Sequence, residues 1–177
     1  YDVGAATLFA DAQARRAEFA YTPDQNAGVP GSSIAWSFFN PKVGASLRLS
    51  PSVTAYGSFG INGREPARSD LFAGFDNIDT TNATFVGPLS RVRPERAHDV
   101  EAGVRYRDGS FSLDANAFAM EFRDEILPVG QLSYIGTPLR TNVRESWRRG
   151  VEADLSWRPA GRVEVGMNAT AMRARTA

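Results

Sequence analysis

The sequence predicts an all-β fold, namely a segment of an antiparallel, up-and-down transmembrane β-barrel. Three observations lead to this prediction. Polar and apolar residues alternate over unusually long stretches, short turns alternate with long polar loops, and no run of about 20 apolar residues is present that could form a membrane helix. A barrel strand needs apolar residues only at alternate positions, so a chain of low mean hydropathy can still form one.

The clearest alternation occupies residues 143–172, which are predicted to form one long β-hairpin. Its first arm has apolar residues at odd positions, and its second arm resumes the pattern after a turn at 159–161. The apolar positions are Val151, Ala153, Leu155, Trp157, Val163, Val165, Met167, Ala169 and Ala171. Strands in soluble sheets usually have about 5–6 residues. Much longer strands are normal where lipid covers one face and water the other.

The remaining elements follow from breaks in the same pattern. The predicted strands lie at about 4–21, 41–49, 53–62, 97–107, 110–126, 142–158 and 162–175. Short turns at 50–52, 108–109 and 159–161 alternate with long loops at 22–40, 62–94 and 128–142, which are rich in Gly, Pro, Ser, Asn and Asp. This asymmetry is typical of barrels with short periplasmic turns and long external loops.

Two strands depart from a simple alternation. In strand 110–126 the apolar frame passes from Leu113 and Ala117 to Phe118 and Phe122, which predicts a bulge near residues 116–118. In strand 4–21 apolar residues occupy both frames, so its facing stays open.

The last hairpin also predicts where basic residues lie. Placing Trp157 opposite Val163 puts Arg149 opposite Ala171 and gathers three arginines at the end far from the turn. These are Arg149, Arg173 and Arg175. We expect this group at the outer rim of the barrel, with outer-membrane lipid phosphates as partners, and Trp157 in the opposite aromatic girdle.

Composition excludes several other classes of protein. The 177 residues suffice for one domain, and the formal net charge of zero gives no reason to expect nucleic acid as a partner. Without cysteine, disulfides and thiolate chemistry are impossible. His98 is the single histidine, so we predict no catalytic site, no enzyme activity, no metal site and no cofactor. The acidic loop residues Asp76 and Asp79 do not have the spacing of a calcium-binding loop.

An ordered set of short stretches resembles the β-barrel domain of TonB-dependent receptors, the plugged outer-membrane transporters of about 22 strands. The stretches are ATLFADAQAR at 6–15, NPKVG at 40–44, LRLS at 47–50, YGSFG at 56–60, REPARSDLF at 64–72, PE at 94–95, VEAG at 100–103, FRDEI at 122–126, and Asn142 with RGVE at 149–152. Together they cover nearly the whole chain in the order found in that family.

The resemblance implies that residues 1–177 are the C-terminal part of a receptor barrel, about seven strands of a larger one. Because the chain opens inside a predicted strand without a signal peptide, we expect a fragment whose plug domain is absent. The implied activity is TonB-energised uptake of a scarce ligand, such as an iron–siderophore complex, across the outer membrane of a Gram-negative bacterium. Contact with the TonB complex would occur through the missing parts.

Candidate ligand-binding residues lie at the outer rim and in the longest loop. They are Arg64, Arg68, Phe72, Phe75 and Arg91. The alternative for Arg64 and Arg68, together with Glu65 and Asp70, is a salt-bridge network that fixes the exit of the strand. The aromatic residues Trp36, Phe38, Phe39, Phe72, Phe75 and Phe85 are predicted in outer loops, where they either line a ligand pocket or pack loop on loop.

Other functions stay open at this point. A passive porin-type channel has the same strand pattern and differs by lacking a plug. A soluble β-sheet binding domain would have tight loops at both ends of its strands. An outer-membrane enzyme would need a nucleophile and a base, for which the chain offers little material.

Overall fold

The computed structural model describes residues 1–133 and 136–176, and within them eight strands form one antiparallel sheet. The strands are β1 (Asp2–Val3), β2 (Ala6–Tyr21), β3 (Ser32–Arg48), β4 (Val53–Arg64), β5 (Glu95–Asp108), β6 (Phe111–Leu132), β7 (Pro138–Ala160) and β8 (Val163–Thr176). Each strand pairs with its neighbours in the chain, so the order in the sheet is the order in the sequence. The predicted all-β, up-and-down arrangement of seven long strands is confirmed, and β1 is a two-residue addition.

Successive connections alternate between the two ends of the sheet. The connections β1–β2, β3–β4, β5–β6 and β7–β8 are all short, and those after β2, β4 and β6 lie at the other end. The longest, between β4 and β5, contains helices α1 (Arg68–Leu71) and α2 (Ala83–Val86) and a 3₁₀ turn at Leu89–Arg91. No helix in the described part of the chain is long and apolar enough to cross a membrane.

Two of the predicted long loops were largely wrong, because paired strands occupy much of them. β3 begins at Ser32. β6 continues to Leu132, and β7 already begins at Pro138. The third predicted loop also includes residues 134–135, which lie outside the described residues. Pro41 is tolerated inside β3 because pairing with β4 reaches only Lys42, so that side of β3 is an edge where a missing N–H breaks no ladder. Trp36, Phe38 and Phe39 therefore lie in a strand and not in a loop.

The predicted bulge at 116–118 is also wrong. Ala117 lies opposite Ala102 on one side and Val151 on the other without a register shift. Phe118 and Phe122 therefore face the polar side of the sheet. The strand changes face at Asp124 instead, whose φ of 54° is unusual for a residue other than glycine.

In the last hairpin the observed register differs by two residues from the predicted one. Trp157 lies opposite Val165, and Arg149 lies opposite Arg173. A two-residue slip leaves every side chain on the same face, so the predicted facing of both arms holds. The extra length is taken up by an irregularity between Trp157 and Ala160.

Cross-strand rows show that the sheet has one apolar and one mainly polar face. Paired residues in an antiparallel sheet point to the same side. One row consists of Leu8, Ala45, Gly57, Ala102, Ala117, Val151 and Ala171, and the adjacent row of Thr7, Ser46, Tyr56, Gly103, Asn116, Glu152 and Thr170. The first row also settles the facing of β2, with Leu8 on the apolar side and Phe9 on the polar side.

The apolar face is exposed and is not packed against a second layer within the described residues. Val151 is 55% exposed, Val165 47% and Met167 63%. A water-soluble sandwich would bury these side chains in a core. Their exposure is the arrangement expected when hydrocarbon is the solvent on that side.

Aromatic rings on the polar face cover glycines of the neighbouring strands. Rings of Phe9, Tyr56 and Phe118 lie where a Cβ of Gly44, Gly103 and Gly150 would have to go. At Gly103 an added Cβ would be 2.6 Å from the ring of Tyr56 and 2.7 Å from the carbonyl oxygen of Ala115. These glycines let the rings lie flat against the sheet.

We expect Gly103→Ala to impair assembly of the barrel, because both the ring of Tyr56 and the backbone of β6 obstruct the new methyl group. Overpacking of this kind costs about 1–3 kcal/mol. The measurement is the folded fraction of the intact protein in detergent, followed by its electrophoretic mobility with and without boiling. Gly166→Ala is the matched control, since the nearest atom to its Cβ is 4.0 Å away. Equal folding of the two variants would contradict the packing argument.

Candidate functional site

Most of the buried core of the described chain lies in the long loop, and Ile126 of β6 completes it. Its fully or nearly enclosed members are Leu71, Phe72, Ile78, Val86, Leu89, Val92 and Ile126. Phe72 packs edge-on against Phe19 and Tyr21 of β2, with ring centroids 5.6 and 4.9 Å apart. The loop is thus a small folded unit that rests on the ends of the strands.

Polar contacts hold this unit to β2. The hydroxyl of Tyr21 donates to the carbonyl oxygen of Ile78 at 3.2 Å and accepts from its amide nitrogen at 3.0 Å. Within α1, a carboxylate oxygen of Asp70 accepts a hydrogen bond from the amide of Ala67 at 2.9 Å, which satisfies a donor at the start of the helix. Asp70 is therefore a structural residue of the REPARSDLF stretch.

Ion pairs join the loop exit to neighbouring strands. The guanidinium of Arg15 donates to both carboxylate oxygens of Glu65, at 2.8 and 2.6 Å. Arg64 makes the same kind of paired contact with Glu95, at 2.8 and 3.0 Å. The hydrogen bonds from Arg15 hold the pKa of the Glu65 carboxyl below its usual range. The predicted alternative, a salt-bridge network at the strand exit, describes Arg64 and Glu65.

A second link closes the other side of the loop. The Arg93 guanidinium contacts the Asp124 carboxylate at 2.6 Å. The side chain of Asn142 accepts from the amide of Arg93 at 2.8 Å and donates to the carbonyl oxygens of Arg93 and Asp124, at 2.8 and 2.7 Å. Asn142 thus ties three backbone segments together, and the unusual φ of Asp124 aims its carbonyl oxygen at this amide.

Phe72 is a correction among the candidate ligand-binding residues. It is 0% exposed, because the loop folds around it, and it offers no surface to a ligand. Arg68 stacks on the same ring at 5.3 Å and donates to the carbonyl oxygen of Asp76, and Arg64 is occupied by Glu95. These three residues stabilise the loop. Most of the aromatic side chains of the loop pack against other residues of the loop or against β2.

Arg91 and Phe75 lie nearer to accessible space. Phe75 packs edge-on against Phe85 at 5.9 Å, and Phe85 is 57% exposed. Phe85 and Arg91 line a cavity of about 210 Å³ together with Arg140 of β7. Two guanidinium groups beside an aromatic ring can bind an anionic, planar ligand. Arg140 was missed because residues 128–142 read as a loop, and no local pattern marks a residue that enters the site through the extended β6–β7 hairpin.

The polar face carries its own hydrogen-bonded groups. Asp114 accepts from the hydroxyl of Tyr56 at 2.7 Å and from Arg105 at 2.8 Å. Asn116 donates to Glu101 at 2.7 Å. Nearer the loops, the buried carboxylate of Glu125 accepts from Ser146 and from Arg148, the latter at 2.6 Å. A water-filled lumen lined in this way presents charges of both signs.

The other polar residues considered from the sequence have structural surroundings. The Asp79 carboxylate accepts from the amide and hydroxyl of Thr81, at 2.7 and 2.5 Å, and these bonds hold its pKa below the usual range. His98 lies in β5 opposite Ile61 and Glu121.

Comparisons with known proteins agree with the architecture. A family model described as "TonB dependent receptor-like, beta-barrel" matches residues 6–177. A comparison with curated proteins finds no match.

Solved structures with the same fold include three proteins of low sequence identity to this chain. The copper transporter OprC has a TM-score of 0.77 at 17% identity and is matched over 99% of this chain and 27% of its own. The FrpB iron transporter from Neisseria meningitidis has a TM-score of 0.67 at 20% identity and is matched over 99% of this chain and 24% of its own. The siderophore receptor PirA from Pseudomonas aeruginosa has a TM-score of 0.63 at 15% identity and is matched over 93% of this chain and 32% of its own. The chain therefore spans less than a third of the length of each.

We expect Phe72→Ala to loosen the loop without unfolding the sheet. Removing a fully buried phenylalanine costs about 3–5 kcal/mol, and the strands keep their own ladders. Hydrogen exchange of residues 65–94 in the intact protein should increase, with the strands unchanged. Phe85→Ala is the control in the same loop, and an equal effect of both substitutions would exclude Phe72 as the centre of the loop core.

The Arg15–Glu65 pair should make the loop exit sensitive to acid. Because the folded-state pKa of Glu65 lies below its ordinary value of 4.5, its stabilising contribution is present above that value and is lost as pH falls through the folded pKa. Solvent screens this partly exposed pair, so the contribution is small. Exchange protection near residue 65, corrected for intrinsic rates, should fall below about pH 4.5 in the unaltered protein. Glu65→Gln should remove this dependence, and Glu145→Gln should retain it.

Proposed function

Because this chain belongs to the TonB-dependent receptor family as part of its β-barrel, we propose that it forms a sector of an outer-membrane transporter. The transporter takes up a scarce ligand with energy supplied through TonB. The single observation that carries the proposal is the family match over residues 6–177, and the two unlike faces of the sheet support it. Recognition by loops on a rigid scaffold is the usual division of labour in such proteins.

A location in the outer membrane of a Gram-negative bacterium follows from the same reasoning. The apolar face needs hydrocarbon as its solvent, and the described sheet ends at β1 and β8, which do not pair with each other. An unpaired edge in hydrocarbon leaves backbone groups without partners, so further strands must complete the barrel. A plug domain and contact with the TonB complex belong to those further parts of the receptor.

For the ligand we propose an anionic metal chelate, with an iron–siderophore complex as the first choice. The support is chemical: Arg91, Arg140 and the exposed ring of Phe85 meet at one cavity on the loop side. Guanidinium groups bind carboxylate or catecholate oxygens in pairs, and they also stack on planar groups. The similar folds of an iron transporter and a siderophore receptor are compatible with this choice.

Energised uptake and passive passage predict different dependence on the inner membrane. In cells that express the intact receptor, accumulation of a labelled ferric siderophore should stop when TonB is deleted or the proton gradient is collapsed. Passage that continues at the same rate would identify a passive channel and overturn the proposal. Copper supplied as a free ion is the comparison ligand, since OprC is a copper transporter.

Arg91→Gln with Arg140→Gln should weaken binding of the anionic chelate by about 100-fold or more, because each of the two charge-assisted contacts contributes about 1.5–3 kcal/mol when desolvated. Equilibrium binding to the purified intact receptor measures the change. Arg16→Gln with Arg162→Gln removes the same charge from exposed positions away from the cavity and should leave affinity within about twofold. Equal losses in the two double variants would point to bulk charge instead of this site.

A further inference from the structure

Five arginines form a band on the apolar side of the sheet, at its long-loop end. This arginine band consists of Arg96, Arg123, Arg149, Arg173 and Arg175, which lie on β5, β6, β7 and β8. Register places them together: Arg96 is opposite Arg123, and Arg149 is opposite Arg173. On β7 and β8 the band directly follows the row of apolar residues that ends at Val151 and Ala171, whereas on β5 and β6 the pairs Val100–Ala119 and His98–Glu121 lie between.

Carboxylates neutralise only part of this charge. Among the described residues, the one ion pair within the band joins Arg149 to Glu121 at 2.9 Å. Like charges directly opposite each other on a sheet destabilise it. Glu121 and Glu145, the latter opposite Arg123, supply two negative charges against the five positive charges of the band, so the band calls for further anions from outside the sheet. Arg149 also stacks on Trp147 at 5.1 Å, and tryptophan is enriched at the boundary between hydrocarbon and headgroups.

A depression of about 780 Å³ lies beside the band on the same face. Small side chains of five strands form most of its floor, among them Ala55, Ala102, Ala117, Ala153 and Ala171, and Val104 and Val151 also line it. Larger apolar residues such as Val100 and Met167 stand outside it on the same face. A hydrocarbon chain that runs down the sheet from the arginine band would fill this space.

We propose that this face binds one anionic lipid whose headgroup carries phosphate. The phosphate lies on the arginine band and an acyl chain lies in the alanine-floored depression. The proposal rests on the location in a membrane argued above. A lipid is favoured over soluble phosphate because the guanidinium groups stand on the apolar face, beyond its last hydrophobic row, and not on the polar face or in the ligand cavity.

The test uses the intact receptor in non-ionic detergent, titrated with dioleoyl phosphatidic acid and observed by native mass spectrometry. Arg173→Gln with Arg175→Gln should weaken binding about 25-fold, as the product of roughly fivefold for each basic residue near an anionic lipid surface. Arg107→Gln with Arg144→Gln removes the same charge from the polar face and should change binding less than about twofold. If the first pair impairs folding, Arg96→Gln with Arg123→Gln tests the same band from two other strands.

Two further arms separate the sources of phosphate and test the depression. Dioleoyl glycerol has the same chains without phosphate and should bind at least about tenfold more weakly. Inorganic phosphate at millimolar concentration should not displace the lipid. Ala171→Phe should weaken lipid binding by filling the depression, and Met167→Phe, outside it, should not.

Equal lipid affinity of the band variants and the unaltered receptor would overturn the proposal, as would displacement by inorganic phosphate or equal binding of dioleoyl glycerol. Unchanged binding by Ala171→Phe would overturn the place assigned to the acyl chain. Uptake of the ferric siderophore is measured in the same variants and should persist. If the unaltered receptor takes up no ferric siderophore, the proposed function is contradicted. The lipid titration is judged separately from that result.

Discussion

A single-layer sheet must satisfy its backbone through neighbouring strands and its two faces through two different surroundings. This constraint governs the rest of the molecule. Long antiparallel ladders supply the hydrogen bonds, so the strands need no core beneath them. Alternation then places Val151 and Met167 on a face that water would solvate poorly, and Glu152 and Thr170 on a face that water solvates well. At the two ends of the sheet, β1 and β8, the outer backbone N–H and C=O groups need hydrogen bonds from further strands.

The loop between β4 and β5 is stabilised differently from the sheet, by a buried core of its own. It lies beyond the ladder, so it buries its own apolar residues around Phe72 and fastens itself to β2 through Tyr21. Ion pairs at Arg15–Glu65 and Arg64–Glu95 and the amide of Asn142 then fix the segments that enter and leave it. A rigid support of this kind is what allows a few exposed groups, Phe85 and Arg91, to be held beside Arg140 at one cavity.

Charged side chains on the two faces of the sheet are neutralised in different ways. On the polar face, Asp114, Glu101 and Glu125 each accept hydrogen bonds from neighbouring side chains, so those charges are largely matched within the protein. On the apolar face, the positive charge of the arginine band exceeds that of the nearby carboxylates. The difference follows from the surroundings, since a lumen contains water and protein while a lipid leaflet presents phosphate at its boundary.

Alternation of polar and apolar residues was sufficient to predict the all-β class, the seven long strands and the faces of the last hairpin, because side-chain direction in a strand depends only on position parity. The limits of the strands could not be predicted: Ile34, Trp36 and Phe38 alternate in the opposite frame from Val43, Ala45 and Leu47, and only pairing with β2 shows that one strand continues through both. Likewise Phe72 has the composition of a ligand-binding residue, and its burial depends on contacts with Phe19 and Tyr21, some fifty residues away in sequence. Local sequence therefore determined periodicity and facing, whereas register, the end of each ladder and the meeting of Arg91 with Arg140 were decided by tertiary structure, because they depend on which distant segments pair and pack.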